Sequence, residues 1–551
     1  MSDAFLGVNI LHDTSAALVV DGELVVAVEE ERFNRDRHTT AFPTAAIQYC
    51  LEQVGMSAGD LCGVAVTFDY PEFQQNTSPF EQNTIDHDDT TPGGREKIKA
   101  DNLAIWQRAE AELARSGLPN VQFLRHHLTH AACGYYSSGF DDAGVIVFDG
   151  RGERESTSLW HAHGAQLDPL ESYAIFDSLG QLYTYVTSLC GLYGGIGNEG
   201  KTMGLSGYGT GKLNLDDVVT FDGDRYHIDR TAMRALSRYR VPLGRSNADS
   251  QELAFAVQKK LEEAYLFLAA RMQHLTGCRS LVLSGGVAFN CNANGVLAGH
   301  PEVDRLYIPP AANDAGTAIG AAFIQWVEYS GTRPVVPRDP IYLGPAFDDD
   351  SIEASIGRSG LTAVTKVSDP AQVAADAVAQ GLVVGWFQGS MEFGPRALGN
   401  RSILADPRDA GMPQKVNDRV KFREPWRPFA PSVLNEKAQE WFEPAIESPY
   451  MLLSLNVRDQ QRHLVPAITH VDGTSRIQGV TRDANPLYYR LIELFADRTG
   501  VPMVLNTSLN IRGEPIARTA DDAIQCLVES GLDVLVMGTF VAWKDGVELD
   551  L

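Results

Sequence analysis

The sequence predicts an α/β protein of two domains, the first of them internally duplicated. Three observations carry that prediction. The 551 residues exceed what one hydrophobic core organises, so two or three domains are expected. The chain opens as strand, turn, strand, turn, strand, and a similar order returns from Gly144. Elsewhere, short apolar runs of strand length alternate with segments of helical periodicity.

Taken in order, FLGVNI, SAALVV and ELVVAVEEE form the first strand set, with the hairpin signal Asp21-Gly22 between the last two. GVIVFDG (Gly144–Gly150), STSLWHA (Ser156–Ala162) and a segment near Leu170–Phe176 form the second. Each set starts on an apolar strand ending in a polar loop, His12-Asp13 and then Asp149-Gly150. Two such units predict a duplicated α/β domain with its ligand in the cleft between the halves. Residues 251–275 carry apolar side chains at helical spacing, SLVLSGG reads as a strand, and Ile319–Val327 as a helix. Four prolines (Pro334, Pro337, Pro340, Pro345) mark the domain boundary, giving domains 1–340 and 341–551. In the second domain LVVGWF (Leu382–Phe387), VPMVL and a last strand DVLVMGTFVAW stand out. Residues 69–100, rich in Asp, Thr, Pro and Gln, read as a long surface loop or lid.

Bulk properties narrow the function. Composition is ordinary for a globular chain, 44% hydrophobic and 21% charged. No apolar run approaches the ~20 residues of a membrane span, and the N-terminus lacks a basic region and cleavage site. Seven cysteines without a C-x-x-C pair argue against a zinc ribbon or disulfide framework and fit a reducing cytoplasm. A net charge of −25, with no basic run longer than two, argues against a nucleic-acid partner.

Several stretches could carry chemistry. EFGPRALGNRSIL (Glu392–Leu404) sets Arg396 and Arg401 among glycines after a buried strand, which suits an anion-binding loop; the alternative is an ordinary turn with solvated arginines. His126 and His130, four apart, share one side of a helix and could ligate one metal with Asp149 and Asp314, the donor set suiting iron, manganese or zinc. Spacing alone does not force the aspartates to join them. His12 closes the first strand and could act as a general base or be a polar turn residue. In SGGVAFNCNANG, Gly285 and Gly286 could turn N–H groups to phosphate while Asn290 and Asn292 bond a ribose or base. GIGNEGKTMGLSGYG, with Lys201, is a similar loop, and neither matches a P-loop. Lys421 and Arg423, two apart on an extended segment, would share a face able to hold phosphates, unless they only blunt a strand edge. Arg476 and the Ser508-Leu509-Asn510 stretch lie downstream.

These motifs, in this order, resemble those of the NodU/CmcH-type O-carbamoyltransferases of antibiotic and nodulation-factor pathways. LHDTSAAL, HHLTHAA, VFDG, GNEGKTMGLSGYG, SGGVAFNCNAN, NDAGTAIGAA, EFGPRALGNRSI, REPWRPFAPSV and NTSLNIRGEP carry the resemblance nearly end to end. It implies a duplicated actin-like ATPase (ribonuclease-H-like) N-terminal domain and a YrdC-like α/β C-terminal domain. It implies a metal on His126, His130, Asp149 and Asp314, Fe2+ before Mn2+ or Zn2+, and Mg2+ with ATP. It assigns catalysis to His12, Lys421 and Arg423, and nucleotide or adenylate binding to Lys201, Gly285, Gly286, Asn290, Asn313, Ser508 and Asn510. Carbamoyl phosphate falls to Arg396, Arg401, Arg476 and Asn506. The implied reaction makes carbamoyl adenylate from carbamoyl phosphate and ATP, then transfers the carbamoyl group to a hydroxyl of a small natural product. Neither nucleic acid nor membrane is an expected partner; a homodimer is compatible. Two alternatives stay open: a small-molecule kinase of the actin-like superfamily, and a non-catalytic nucleotide-binding sensor.

Overall fold

Two five-stranded sheets of identical order build the N-terminal half. In the computed structural model, which describes residues 2–70, 92–193, 195, 197–337 and 341–549, the first sheet joins β1 (Ala4–Asn9), β2 (Ser15–Val20), β3 (Glu23–Glu29), β4 (Gly63–Val66) and β5 (Val121–Phe123). Their order is β3-β2-β1-β4-β5, antiparallel among the first three and parallel from β1 through β4 to β5. Asp21 and Gly22 turn the β2–β3 hairpin with φ of 50° and 85°, as the sequence signal requires. The second sheet joins β6 (Asp142–Phe148), β7 (Glu155–His163), β8 (Gln166–Ala174) and, past a separate hairpin of β9 (Val219–Asp222) and β10 (Arg225–Ile228), β11 (Ser280–Ser284) and β12 (Arg305–Tyr307). Its order, β8-β7-β6-β11-β12, and its strand directions repeat those of the first. This is the duplicated actin-like arrangement.

The helix Thr317–Ser330 is wedged into the first half by glycines. A Cβ on Gly7 of β1 would lie 1.8 Å from the Ala318 carbonyl oxygen, and one on Gly320 would lie 1.8 Å from that of Thr129. Only hydrogen fits at either contact, so the helix touches both β1 and the helix His126–Ser138. The long helix Ala248–Thr276 is closed at both ends. Asn247 and Ser250 form a reciprocal capping box at 2.9 and 2.7 Å, worth about 1 kcal/mol, and Gly277 ends the helix at φ 74°.

Contacts divide the chain into Met1–Glu31 with His38–Pro337 and Arg32–Arg37 with Arg338–Leu551. The break falls in the proline-rich stretch, but the short segment 32–37 departs from two contiguous domains. Arg32 donates to the Gly394 carbonyl at 2.9 Å, Arg35 to those of Pro515 and Ile516 at 3.0 and 2.8 Å, and Arg518 to that of Arg32 at 3.1 Å.

The second unit is α/β, built on ten strands: β13 (Val364–Lys366), β14 (Val384–Phe387), β15 (Arg401–Ala405), β16 (Ala430–Leu434), β17 (Phe442–Glu443), β18 (Leu453–Val457), β19 (Thr474–Val480), β20 (Met503–Ser508), β21 (Val534–Met537) and β22 (Phe540–Trp543). The order is β13-β22-β21-β14-β15-β20-β16-β19-β18-β17. The last predicted strand is in fact a hairpin, because Gly538, at φ 53°, reverses the chain between β21 and β22.

Of the predicted loop 69–100, residues 71–91 lie outside the described residues. Residues from Pro92 begin a helix running to Ser116, whose run of Glu, Lys, Ala, Arg and Leu favours that state. Among the described residues no helix is long and apolar enough to cross a membrane.

Candidate functional site

In the N-terminal unit the candidate site lies at the C-terminal ends of strands. Asp149 follows β6, Gly285 and Gly286 follow β11, Thr67 follows β4, and His126 opens the helix after β5. Arg125, extended at φ −61° and ψ 133°, makes no side-chain cap for that helix. The buried Glu153 carboxylate serves instead, accepting from the His126 N–H at 3.0 and 3.2 Å and from that of Asp69 at 2.8 Å. One helical turn then stacks His130 on His126, with Nε2 atoms 3.1 Å apart.

Both aspartates join this pair. His126 Nε2 lies 3.4 Å from Asp149 and 3.6 Å from Asp314, and His130 Nε2 lies 3.5 Å from Asp314. All four residues are buried, and one donor atom from each falls within 4.8 Å of the others. His126 Nδ1 donates to the Thr67 carbonyl at 3.1 Å, which leaves Nε2 as the nitrogen that faces the aspartates. Converging imidazole nitrogens and carboxylates, with the tautomer set from behind, fit a divalent transition-metal ion.

His12 reaches the same carboxylates, its Nε2 3.0 Å from Asp314 and its Nδ1 3.3 Å from Asp13. Desolvation alone would lower its pKa, but Asp314, Asp13 and Asp149 outweigh it and raise the value to about 9. His126 follows the same logic: burial opposes its charge, yet Asp314 and Asp149 hold it well above the ordinary range. His130 is lowered by burial and by the neighbouring His126 charge. Burial opposes ionisation of Asp314, and the charges on His12 and His126 override it to pull that carboxyl well down. Asp13 sits at φ 51°, accepting from Asn313 Nδ2 at 3.2 Å and facing His38 Nδ1 at 2.6 Å.

The loops singled out in the sequence are committed elsewhere. Gly285 N–H donates to the Ala312 carbonyl at 2.9 Å and Gly286 N–H to Asp149 at 3.1 Å. Neither amide is open to phosphate, which corrects that reading of the pair. Gly285, at φ 91°, instead lets the chain pass the end of β6, where a Cβ would lie 2.0 Å from the Phe148 carbonyl oxygen. Asn290 caps the helix Cys291–Ala298 through the Ala293 N–H at 3.0 Å and pairs its amide with that of Gln258 at 2.9 and 3.0 Å. Lys201 stands on the short helix Glu199–Ser206 rather than in an open loop.

The second unit assembles a different kind of site. Lys421 Nζ donates to the Ser508 carbonyl at 2.5 Å and to Asn510 Oδ1 at 2.7 Å, and the Ser508 hydroxyl donates to Asn510 Oδ1 at 2.7 Å. The segment is not extended, as the spacing had predicted. A π-helical turn, Asn417–Lys421, ends at Phe422, whose φ of 45° reverses the chain between Lys421 and Arg423. Arg423 lies over the Phe429 ring at 4.3 Å and donates to Asn417 Oδ1 at 3.2 Å. Burial and the charges of Arg423, Arg427 and Arg37 hold Lys421 well below the usual lysine range. Burial, Arg427 and Arg476 push Arg423 down to about 9, while Glu424 offsets part of the crowding.

Arg401 does not face this cluster. It is fully buried, donates to the carbonyls of Gln388, Asn400, Pro345 and Gly389 at 2.5–3.2 Å, and lies over the Phe387 ring at 3.8 Å. Its place is inside the Glu392–Leu404 loop, which winds about the buried Glu392: the N–H groups of Leu398, Asn400 and Arg401 all reach one carboxylate oxygen at 2.8–3.1 Å. Asn506 is likewise interior, donating to Ser432 at 2.9 Å and to the Ala397 carbonyl at 3.2 Å. Arg396 is half-buried on the same loop, and Arg476 stands on β19.

Sequence comparison places both units. Residues 4–323 match the family model "Carbamoyltransferase N-terminus" and residues 375–544 match "Carbamoyltransferase C-terminus". The chain belongs to the carbamoyltransferase family. It is 36% identical to nodulation protein NolNO of Sinorhizobium fredii, over 97% of this chain and 79% of the relative. It is 37% identical to an uncharacterized protein of Synechocystis, over 97% and 95%. Among solved structures, full-length HypF in a phosphate- and nucleotide-bound form is 14% identical over 60% of this chain and 56% of that one, with a TM-score of 0.37.

In this carbamoyltransferase the motif reading missed three residues. Glu153 and Arg151 follow the VFDG motif, and the Arg151 N–H donates to Asp149 at 3.3 Å. Burial lowers the Arg151 pKa to about 10, against the pull of Asp149 and Asp314. Arg37 acts on Lys421 and Arg427 although nearly the whole chain separates it from them; the alternating arginines of ERFNRDRH were its only trace.

Proposed function

We propose that the enzyme is an ATP-dependent O-carbamoyltransferase that divides its reaction between the two sites. The observation that carries this reading is the crowding of Lys421, Arg423, Arg427, Arg476 and Arg37: burial and these neighbouring charges lower Lys421, Arg423 and Arg427, which suits an anionic ligand. In that cluster water cleaves carbamoyl phosphate to carbamate and inorganic phosphate. A carbamate oxygen then attacks the α-phosphorus of ATP, forming carbamoyl adenylate as pyrophosphate leaves. We assign Arg396 to carbamoyl phosphate as well, while Arg401 and Asn506 hold the surrounding loop and sheet in shape.

In the N-terminal site the acceptor hydroxyl attacks the carbamoyl carbon and AMP departs. His12 takes the hydroxyl proton on Nε2. A divalent ion on His126, His130, Asp149 and Asp314 would polarise the carbamoyl oxygen and offset the carboxylates around His12. Arg151, beside Asp149, and Asn313, beside Asp13, are the residues we assign to the adenylate phosphate. Separating the steps protects an adenylate that water would hydrolyse. The acceptor is a small hydroxylated natural product, in keeping with a net charge of −25 that repels polyanions. Residues 211–250, bearing the β9–β10 hairpin, and residues 71–91, outside the described residues, are the segments we assign to its choice.

The test is ATP–pyrophosphate exchange in the purified chain. Exchange that requires carbamoyl phosphate, with AMP as the final nucleotide, supports the reading. Release of ADP instead would favour a kinase, and absence of any exchange a sensor.

A further inference from the structure

The opposite end of the second sheet's central strands gathers a thiol, an imidazole and a carboxylate. Asp142 opens β6, His161 lies on β7, and Cys278 stands two residues before β11. Pairing sets Leu281 beside Gly144 and Gly144 beside His161, so three neighbouring strands each bring one side chain to one spot. His161 Nε2 and Cys278 Sγ both approach Asp142 Oδ1, at 2.8 and 3.3 Å. One donor atom from each lies within 4.8 Å of the other two. The Cys278 N–H bonds Thr276 Oγ1 at 3.1 Å, which steadies the thiol where the helix Ala248–Thr276 ends.

These spacings suit a cation. Bonds of ~2.0 Å to nitrogen or oxygen and ~2.3 Å to sulfur put tetrahedral donors roughly 3.3–3.6 Å apart, within about half an ångström of the two separations from Asp142. Mixed sulfur, nitrogen and oxygen donors select zinc-like ions over magnesium or calcium. The side chains of Asp142 and His161 are 64% and 29% exposed, which leaves a fourth position to water. Asp149 lies at the far end of β6, roughly 23 Å away at ~3.3 Å per residue. The spot is therefore separate from the His126 site.

We propose that Asp142, His161 and Cys278 form a second cation site, for zinc or another thiophilic divalent ion, that ties the end of the helix Ala248–Thr276 to the β6–β7 hairpin. On binding, the thiol proton passes to solvent and the sulfur takes the ion in its place. The site does not depend on the two-step reaction proposed above.

Titration of the reduced, metal-stripped full chain with Co2+ tests it, read by the near-ultraviolet thiolate-to-cobalt charge-transfer band. The His126 site contains no sulfur, so the band reports this site alone. The band should reach the same final intensity in the wild type, where two sites share the cobalt, and in His126→Ala, where one equivalent suffices, and excess Zn2+ should abolish it. Cys278→Ser should lose it, and His161→Ala should need at least tenfold more cobalt. Absence of the band in the wild type overturns the site. So does its survival in Cys278→Ser, which would point to the exposed Cys62, or undiminished binding in His161→Ala, which would mean a thiol acting alone. Circular dichroism of both variants separates loss of the site from loss of the fold.

Discussion

The two units enclose charge of opposite character. In the N-terminal site two buried carboxylates face two buried imidazoles, with His12 beside them, and the carboxylates raise the pKa of His12 and His126. In the C-terminal site arginines crowd a buried lysine, and burial together with their charges lowers its pKa. Each site is electrostatically incomplete in the opposite sense. The first is relieved by a cation and the second by an anion, which is why we place polyphosphate chemistry in the second and proton abstraction in the first.

Substitutions that separate the two sites break or sharpen this contrast. The largest effect is expected from His12→Asn, which should slow carbamoyl transfer about 10²–10⁴-fold while carbamoyl-phosphate-dependent exchange continues. Quenched-flow analysis of both products checks it, and equal loss of both activities would erase the division. Next, Lys421→Ala should cut the exchange itself about 10²–10³-fold, with pyrophosphate release as the readout. Arg37→Ala should raise the carbamoyl phosphate or ATP requirement roughly tenfold, the loss of one charged contact. An unchanged exchange reaction in that variant would remove the 32–37 segment from the site.

The smallest expected effect is on pH. Lys421 is lowered by burial and by Arg423, so it sheds its proton below the ordinary lysine value of about 10.4. The deprotonated amine no longer attracts phosphate. Carbamoyl phosphate binding should therefore weaken as pH rises from neutral toward that range, as calorimetry can measure. A flat profile would mean that Lys421 is not a phosphate ligand.

How legible these sites were in the sequence varied with their construction. The paired histidines are local: four residues on a helix place them together wherever the helix lies. The duplication was legible because Asp21-Gly22 and the strand alternation act over short range. Arg401 shows the limit. Beside Arg396 in an anion-loop motif it looked like a ligand, yet four carbonyls and the Phe387 ring hold it inside the fold. Lys421 and Arg423 are positioned by a π-helical turn and a left-handed Phe422, not by the extended segment that their spacing predicted.

By itself the sequence determined the family, the duplicated α/β pattern and the residue types that could do the chemistry, because motifs and periodicity are properties of neighbours along the chain. Only the tertiary structure decided which of them meet. It brought Asp149 and Asp314, from separate strand and helix ends, onto His126 and His130, and it joined Arg37 to a cluster far along the chain. It also turned the Gly285–Gly286 amides inward, onto Ala312 and Asp149. Those pairings rest on long-range contacts and on which donors are already bonded, and neither is written in the spacing of a motif.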